Sequence, residues 1–372
     1  MRSVGVEEEL LLVDAESGEP KALSQAVLAM ASREGDPGDG DGDGPGDAFE
    51  AELHRQQLEF ATSPQEDMTA LADEIVGWRA AAAQHAETVG GAVAALATSP
   101  LPVNPTIGTG PRYQWLEEQF GLTTQEQLTC GCHVHVMVES DEEGVAVLNR
   151  IRPWLSVLLA LSANSPFWQG KDTDYHSYRS RVWGRWPSAG PVELFADAAA
   201  YHEQTRAMVA TGALLDKGMV YFDARLSDTY PTVEVRIADV CLEPSMTVLL
   251  AMLVRGLVET AARQWRADEA PVPHSVALLR LASWRAARSG LADRLVHPLL
   301  MEPAPARSVA EALFDHVRPA LEDCGDAATA RELLDRLLRD GNGARVQRAA
   351  FERDGSLRDV VEACVQRTAR GV

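Results

Sequence analysis

The sequence predicts an α+β protein in which a curved sheet, drawn from roughly the first 240 residues, is backed by a helical remainder. Three stretches carry that reading. Gly5–Val13, Thr129–Val136 and Tyr230–Val240 each alternate polar and apolar residues with a period of two, the repeat of a strand whose side chains face opposite sides in turn. From Pro244 onward the apolar residues recur at helical spacing instead, over 244–268, over 275–289 and in further amphipathic segments to about 369.

The 372 residues are 46% hydrophobic, enough for a sizeable core, and length alone allows one large domain or two smaller ones. We read the chain as a single catalytic domain over 1–372. Asp and Glu number 55 against 34 Lys and Arg, a formal net charge of -21, which argues against nucleic-acid or anionic-membrane partners. No secretory pattern opens the chain, and no apolar run is expected to span a bilayer, since Met246–Trp265 is interrupted by Arg255, Glu259 and Arg263. The 5 cysteines (130, 132, 241, 324, 364) are odd in number and irregular in spacing, which fits free thiols in a reducing cytoplasm.

In the first strand Glu7 and Glu9 share one face, while Val6, Glu8 and Leu10 share the other. Neighbouring carboxylates repel, and a buried charge without a partner is costly. Two readings stay open: an edge strand with its acids in water, or a divalent cation held by carboxylate oxygens. Asp14–Gly18 reads as a turn and Leu23–Arg33 as a short helix. The Asp/Gly repeat at 36–47 reads as a mobile solvated loop; its calcium-loop spacing is a by-product of the repeat. Phe49–Thr62 reads as a second strand or hairpin arm, with Glu59 between Leu58 and Phe60. Asp67–Thr88 is a helix with Leu71, Ile75 and Trp78 on one stripe, Ala92–Ala97 a short strand, and the proline-rich Ser99–Pro105 a loop.

In Thr129–Val136, His133 and His135 share a face, and Gly131 leaves room for a ligand beside them. Such a pair binds a transition metal, orients phosphate or carboxylate groups, or plays a structural part. Arg150–Trp168 reads as an apolar helix. The loop at 170–187 then sets Lys171, Arg179, Arg181 and Arg185 among Tyr175, Tyr178, Trp183 and Trp186, a composition suited to anions or to a structural cation–π patch. Met219–Asp223 reads as a short strand. In Tyr230–Val240, Glu234 and Arg236 share a face; they either pair with neighbouring strands or, beside a nucleotide, act as metal ligand and phosphate clamp. The helical segment 244–372 reads as scaffold and partial lid. No P-loop, dinucleotide fingerprint or nucleophile elbow is present. A curved sheet presenting Glu7/Glu9, His133/His135, Glu234/Arg236 and Glu59 suits divalent cations bridging ATP phosphates to a substrate carboxylate.

These segments resemble the glutamate–cysteine ligase type 2 family, in its YbdK-like carboxylate–amine ligase branch. The resemblance rests on Val4–Glu9, Leu128–Val136, Ser162–Gly170, Ser177–Ser180 with Trp183–Pro187, and Pro231–Cys241. It implies a glutamine-synthetase-like fold, a curved, mainly antiparallel sheet forming a funnel covered by helices. It implies a reaction in which ATP phosphorylates a glutamate-like carboxylate and an amine then attacks the acyl phosphate to form an amide. Carried over by motif, Glu7, Glu9, Glu59, His133 and Glu234 match magnesium (or manganese) positions. Arg236 matches a phosphate-contacting arginine, Arg179 an arginine of the substrate or phosphate region, and Arg185 joins them as a nucleotide contact. His135 is grouped with the catalytic residues, and a homodimer is what the family suggests. The rival readings are a zinc-dependent hydrolase built on the histidine pair, a guanidino-type phosphotransferase on the same face, and a catalytically dead relative acting as a binding protein, against which the retained acids and arginines argue.

Overall fold

Alternation along Val4–Asp14 produces β1, the strand on which the sheet is centred. The computed structural model describes residues 1–34 and 49–370, so the loop predicted at 36–47 lies outside the described residues. The strands after β1 are β2 (Glu50–Ala51), β3 (Gln57–Ala61), β4 (Gly91–Ala94), β5 (Gly131–Met137), a small ribbon of β6 (Phe167–Trp168) and β7 (Lys171–Asp172), β8 (Ala224–Leu226), β9 (Thr232–Asp239) and a second small ribbon of β10 (Arg294–Val296) and β11 (Pro303–Pro305). The main sheet has 7 strands in the order β2-β3-β1-β5-β9-β8, with β4 also paired to β1, and its ladders are antiparallel.

One face is apolar. Val6, Leu10 and Leu12 of β1, Cys132, Val134 and Val136 of β5, and Val233 and Val235 of β9 are all buried. The helices Met68–Thr88, Leu155–Ser162, Pro244–Arg266 and Leu357–Thr368 pack on this sheet. Each fully buried Leu or Val removed from water in this layer contributes about 1.5–3 kcal/mol. Glu8 also points into it, and its charge is answered there. Arg79 donates Nε and Nη2 to the two Glu8 oxygens, 2.7 Å each, and the Thr247 hydroxyl donates to Glu8 at 2.6 Å. The same guanidinium donates to the carbonyls of Cys241 (2.7 Å), Leu242 (3.1 Å) and Thr368 (3.1 Å). One buried side chain thus ties β1 to the end of β9 and to the last helix.

Several elements differ from the sequence reading. The helix expected over Arg150–Trp168 runs instead over Asp141–Ile151 and Leu155–Ser162, joined by a 3₁₀ turn at Arg152–Trp154, where Pro153 cannot supply an amide hydrogen. The strand expected at Met219–Asp223 is a 3₁₀ turn at Lys217–Met219, and β8 begins only at Ala224, just past the predicted end. The second strand is broken into β2 and β3, and helices form at Pro111–Phe120 and Ala198–Ala210. Contrary to the expectation about bilayer-length runs, Asp141–Ser162 and Pro244–Arg266 are long and apolar enough to cross a membrane, but both are mostly buried within the protein. They are core helices here.

Candidate active site

The polar face of the sheet is assembled by register. Glu7 stands opposite His133 on β5, Glu9 opposite Glu59 on β3, and His135 opposite Glu234 on β9, which in turn faces Arg225 on β8. Directly opposed residues in an antiparallel pair hold their side chains within contact of one another. His133 sits where the β5–β9 register shifts between Cys132 and Val134, so it has no directly opposed residue on β9.

The contacts are tight. Glu7 Oε2 lies 3.0 Å from His133 Nδ1, and Glu7 Oε1 lies 3.0 Å from His135 Nε2. The other His135 nitrogen is 3.0 Å from the Thr232 hydroxyl. Glu234 accepts from Arg225 at 2.6 and 3.3 Å and from Arg236. Glu9 accepts from the Gly131 amide at 2.6 Å.

Charge is unevenly resolved across this face. Burial pushes Glu7 up, but the hydrogen bonds to His133 and His135 outweigh it and hold the carboxyl well below the usual range. Burial also opposes ionisation of Glu234, yet the Arg236 and Arg225 guanidiniums hold it down at about 2. Glu9 moves the other way, up to about 7, through burial and the nearby Glu52 carboxylate. Glu59 is raised well above the usual range by burial and by Glu52, Glu7 and Glu9. His133 falls to about 4 through burial and the Arg236 charge, so its imidazole is neutral near pH 7.

Carboxylates that repel one another in a partly closed space are what a cation relieves. Two donor sets fit one: Glu7, His133 and Glu234, and Glu9, Glu59 and His133, each with ligand atoms within 4.8 Å of one another. The buried Nε2 of His133 has no hydrogen-bond partner, as expected of a nitrogen aimed at a ligand rather than into packing. The residues present therefore fit divalent cations. A cavity of about 310 Å³ lies over them, walled by Glu7, Glu9, Glu59, His133 and Arg236 and closed by Glu52, Tyr113, Trp183 and Tyr221.

The other predicted residues are placed as follows. His135 is joined to the Glu7–Glu234 row, and Arg236 reaches both Glu234 and the cavity. Arg179 is fully buried behind the site, its guanidinium over the Trp183 ring at 5.4 Å and 3.4 Å from the Ile237 carbonyl. Gly131 leaves its space to that guanidinium, which a Cβ at 131 would strike, and not to a ligand beside the histidines as its size suggested. Arg185 does not join the cavity; it is exposed and paired with Glu126 at 2.6 Å. Residues that sequence reasoning missed include Arg225, Glu52, Arg112 and Tyr221. Continuing the alternation of Phe222-Asp223-Ala224-Arg225-Leu226 would have found Arg225; Glu52, between two short strands, gives no local signal.

The chain shares 64% identity with a protein of Streptomyces avermitilis provisionally named glutamate–cysteine ligase 2-1, the match covering 99% of both chains. A Frankia alni relative, provisionally glutamate–cysteine ligase 2-2, is 48% identical over 99% of this chain and 97% of its own. Among solved structures, the glutamate–cysteine ligase of Francisella tularensis in complex with AMP superposes with a TM-score of 0.71 at 13% identity, covering 99% of this chain and 88% of that one. A bifunctional glutathione synthetase from Pasteurella multocida gives 0.69 at 17% identity, over 99% of this chain and 52% of that one. At those identities the two structures speak to fold alone, and it is the fold expected from the sequence. The profile of glutamate–cysteine ligase family 2 (GCS2) matches residues 3–363, nearly the whole chain, and with the close relatives it establishes that this protein belongs to that family of ATP-dependent carboxylate–amine ligases.

Proposed function

We propose that the chain joins a glutamate-like carboxylate to an amine, giving a γ-glutamyl amide with release of ADP and phosphate. One observation carries the reading: two acid–histidine donor sets share His133 and open, beside Arg236, into a single cavity. In the reaction a substrate carboxylate oxygen attacks the γ-phosphorus of ATP, ADP leaves, and the amine displaces phosphate from the acyl phosphate with loss of a proton. No protein nucleophile is needed, because the substrate carboxylate attacks phosphorus.

The magnesium or manganese assigned to Glu7, Glu9, Glu59, His133 and Glu234 would neutralise charge on the phosphate oxygens. Arg236, held in place by Glu234, offers fixed positive charge at the same place, preorganised so that little reorganisation is needed during transfer. His135, braced between Glu7 and Thr232, orients Glu7. Arg179 supports the floor of the site through Trp183 and Ile237. The identity of the amine, the choice of metal, a homodimeric state and a cytoplasmic setting belong to this same proposal; all 5 cysteines are free, which supports a reducing compartment.

The test is ADP release in the presence of magnesium, ATP, glutamate and a panel of amines that includes cysteine. Stimulation by a carboxylate and amine together is expected. If no such pair raises ADP release above the ATP-only rate, the ligase reading fails.

A further inference from the structure

A larger cavity, of about 680 Å³, opens among the C-terminal helices and shares no lining residue with the acid cavity. Leu291, Leu337 and Leu338 give it apolar surface, and Arg307, Arg345 and Arg348 bring guanidiniums to it. Glu352 is the one carboxylate among the described residues that line it. In a chain of 55 acids and 34 bases, that balance is inverted. The helix Gly343–Asp354 supplies most of the charge, since Arg345, Arg348 and Glu352 recur at i, i+3 and i+7 and share a face. Glu352 is exposed and lies about 10 Å along the helix axis from Arg345, at roughly 1.5 Å per residue.

The three arginines differ in what holds them. Arg348 donates to Asp172 at 3.0 and 2.7 Å and to the Tyr175 carbonyl at 2.9 Å. Arg307 makes one long bond, 3.3 Å to the Leu338 carbonyl, and lies 3.6 Å from Glu311 at the surface. The Arg345 side chain has no hydrogen bond or ion pair among the described residues, yet its stem is fixed. Gly341, at φ +91°, leaves the space that the Arg345 Cδ occupies, and a Cβ there would strike it. A held stem with an unpaired head is ready to meet an anion. Asn342 caps the same helix, accepting from the Arg345 amide at 3.3 Å, so the positive end of the helix dipole borders the cavity. Burial, and after it the Arg348 charge, lowers His176 on the cavity wall to about 4, which registers the same positive field.

We propose that this cavity binds the phosphate group of a small organic phosphate, with Arg345 and Arg307 as its free donors, Arg348 beside them and the three leucines against the organic portion. A carboxylate carries one charge. A phosphate monoester carries nearly two, with three acceptor oxygens, and is the better match to three guanidiniums and a helix N-terminus. The volume falls within the roughly 300–1,000 Å³ of small-molecule sites, more than a bare phosphate fills. The inference is independent of the ligase reading, because no residue of the acid cavity takes part. The same anion chemistry belongs to two sources, an organic phosphate and free phosphate.

Calorimetric titration of the full chain separates these sources without turnover. Phenyl phosphate and inorganic phosphate are the probes, with no magnesium added, so that the acids of the first cavity repel both. Phenyl phosphate is expected to bind the wild type and to bind Arg345→Gln about tenfold or more weakly, since a charge-assisted hydrogen bond is lost. Arg307→Gln combined with Arg345→Gln should weaken it further; both positions are exposed, so the fold is kept. Arg236→Gln, in the acid cavity, should leave the affinity unchanged. Phenyl phosphate binding more tightly than inorganic phosphate identifies an organic phosphate as the source, and equal affinities identify the free anion. The site is overturned if the wild type binds neither probe, if the double variant binds as the wild type does, or if Arg236→Gln removes the binding instead. ADP release plays no part in this readout, so the ligase reading and the phosphate site stand or fall separately.

Discussion

Glu8 and Arg79 meet in a two-point ion pair, 2.7 Å through each oxygen, with neither side chain exposed to solvent. Glu8 lies between Glu7 and Glu9 on β1 but faces the opposite layer. Because strand side chains alternate, fixing Glu8 below the sheet fixes Glu7 and Glu9 above it; a slip of one residue would exchange the faces. The pair therefore sets the register on which the acid face depends.

Removing one partner leaves a buried charge uncompensated. Arg79→Met is expected to lower unfolding free energy by roughly 3–5 kcal/mol, and Glu8→Leu combined with Arg79→Met by less than the sum of the two single changes. Urea denaturation of the three variants checks this. Additive losses would show that the pair is not coupled.

Glu9→Gln should abolish turnover while keeping the melting temperature near that of the wild type. The amide oxygen can still accept from the Gly131 amide, 2.6 Å away in the native protein, but the charge offered to a cation is gone. A loss of two orders of magnitude or more in ADP release is the expected scale for a group acting on developing phosphate charge. Normal activity would remove Glu9 from the metal set.

Gly131→Ala tests the close approach of Arg179. The added methyl would displace the guanidinium from the Trp183 ring and the Ile237 carbonyl. Turnover is expected to fall by about tenfold or more, since small displacements in a site cost disproportionately. Steady-state rates alongside circular dichroism check it. Unchanged kcat and KM would mean Arg179 is packing alone.

Stability should depend on pH through histidines buried in their neutral form. His54, bonded to the Thr124 carbonyl at 3.0 Å and near Gln57 at 3.3 Å, falls from 6.5 to about 4 through burial. His176 falls to about 4 in the same way. Between those values the unfolded chain binds a proton that the folded chain does not. Stability is therefore full above pH 6.5, declines as pH falls toward 4, and levels off below it. For His54 alone the loss is roughly 3 kcal/mol at 1.36 kcal/mol per pH unit. His54→Gln should flatten the decline in urea midpoints between pH 7 and 4.5; an unaltered slope would mean that another group carries it.

Much of the site was legible because strand periodicity assigns faces without any knowledge of partners. Alternation alone put Glu7 with Glu9, His133 with His135 and Glu234 with Arg236, and the structure keeps each pair on one face. Local pattern is weaker where a residue's role depends on what comes from elsewhere. Arg185 looked like Arg179 in the same basic, aromatic loop, yet one is at the surface with Glu126 and the other is buried over Trp183.

By itself the sequence determined the α+β class, the strands that carry the acids and histidines, the helical C-terminal segment and the family, because these follow from short-range periodicity and ordered motifs. Only the tertiary structure decided which acids converge. Glu59 meets Glu9, Arg225 meets Glu234 and Arg79 meets Glu8 across separations that no local pattern encodes, since register between strands and the burial that shifts each carboxyl exist only once the layers have packed.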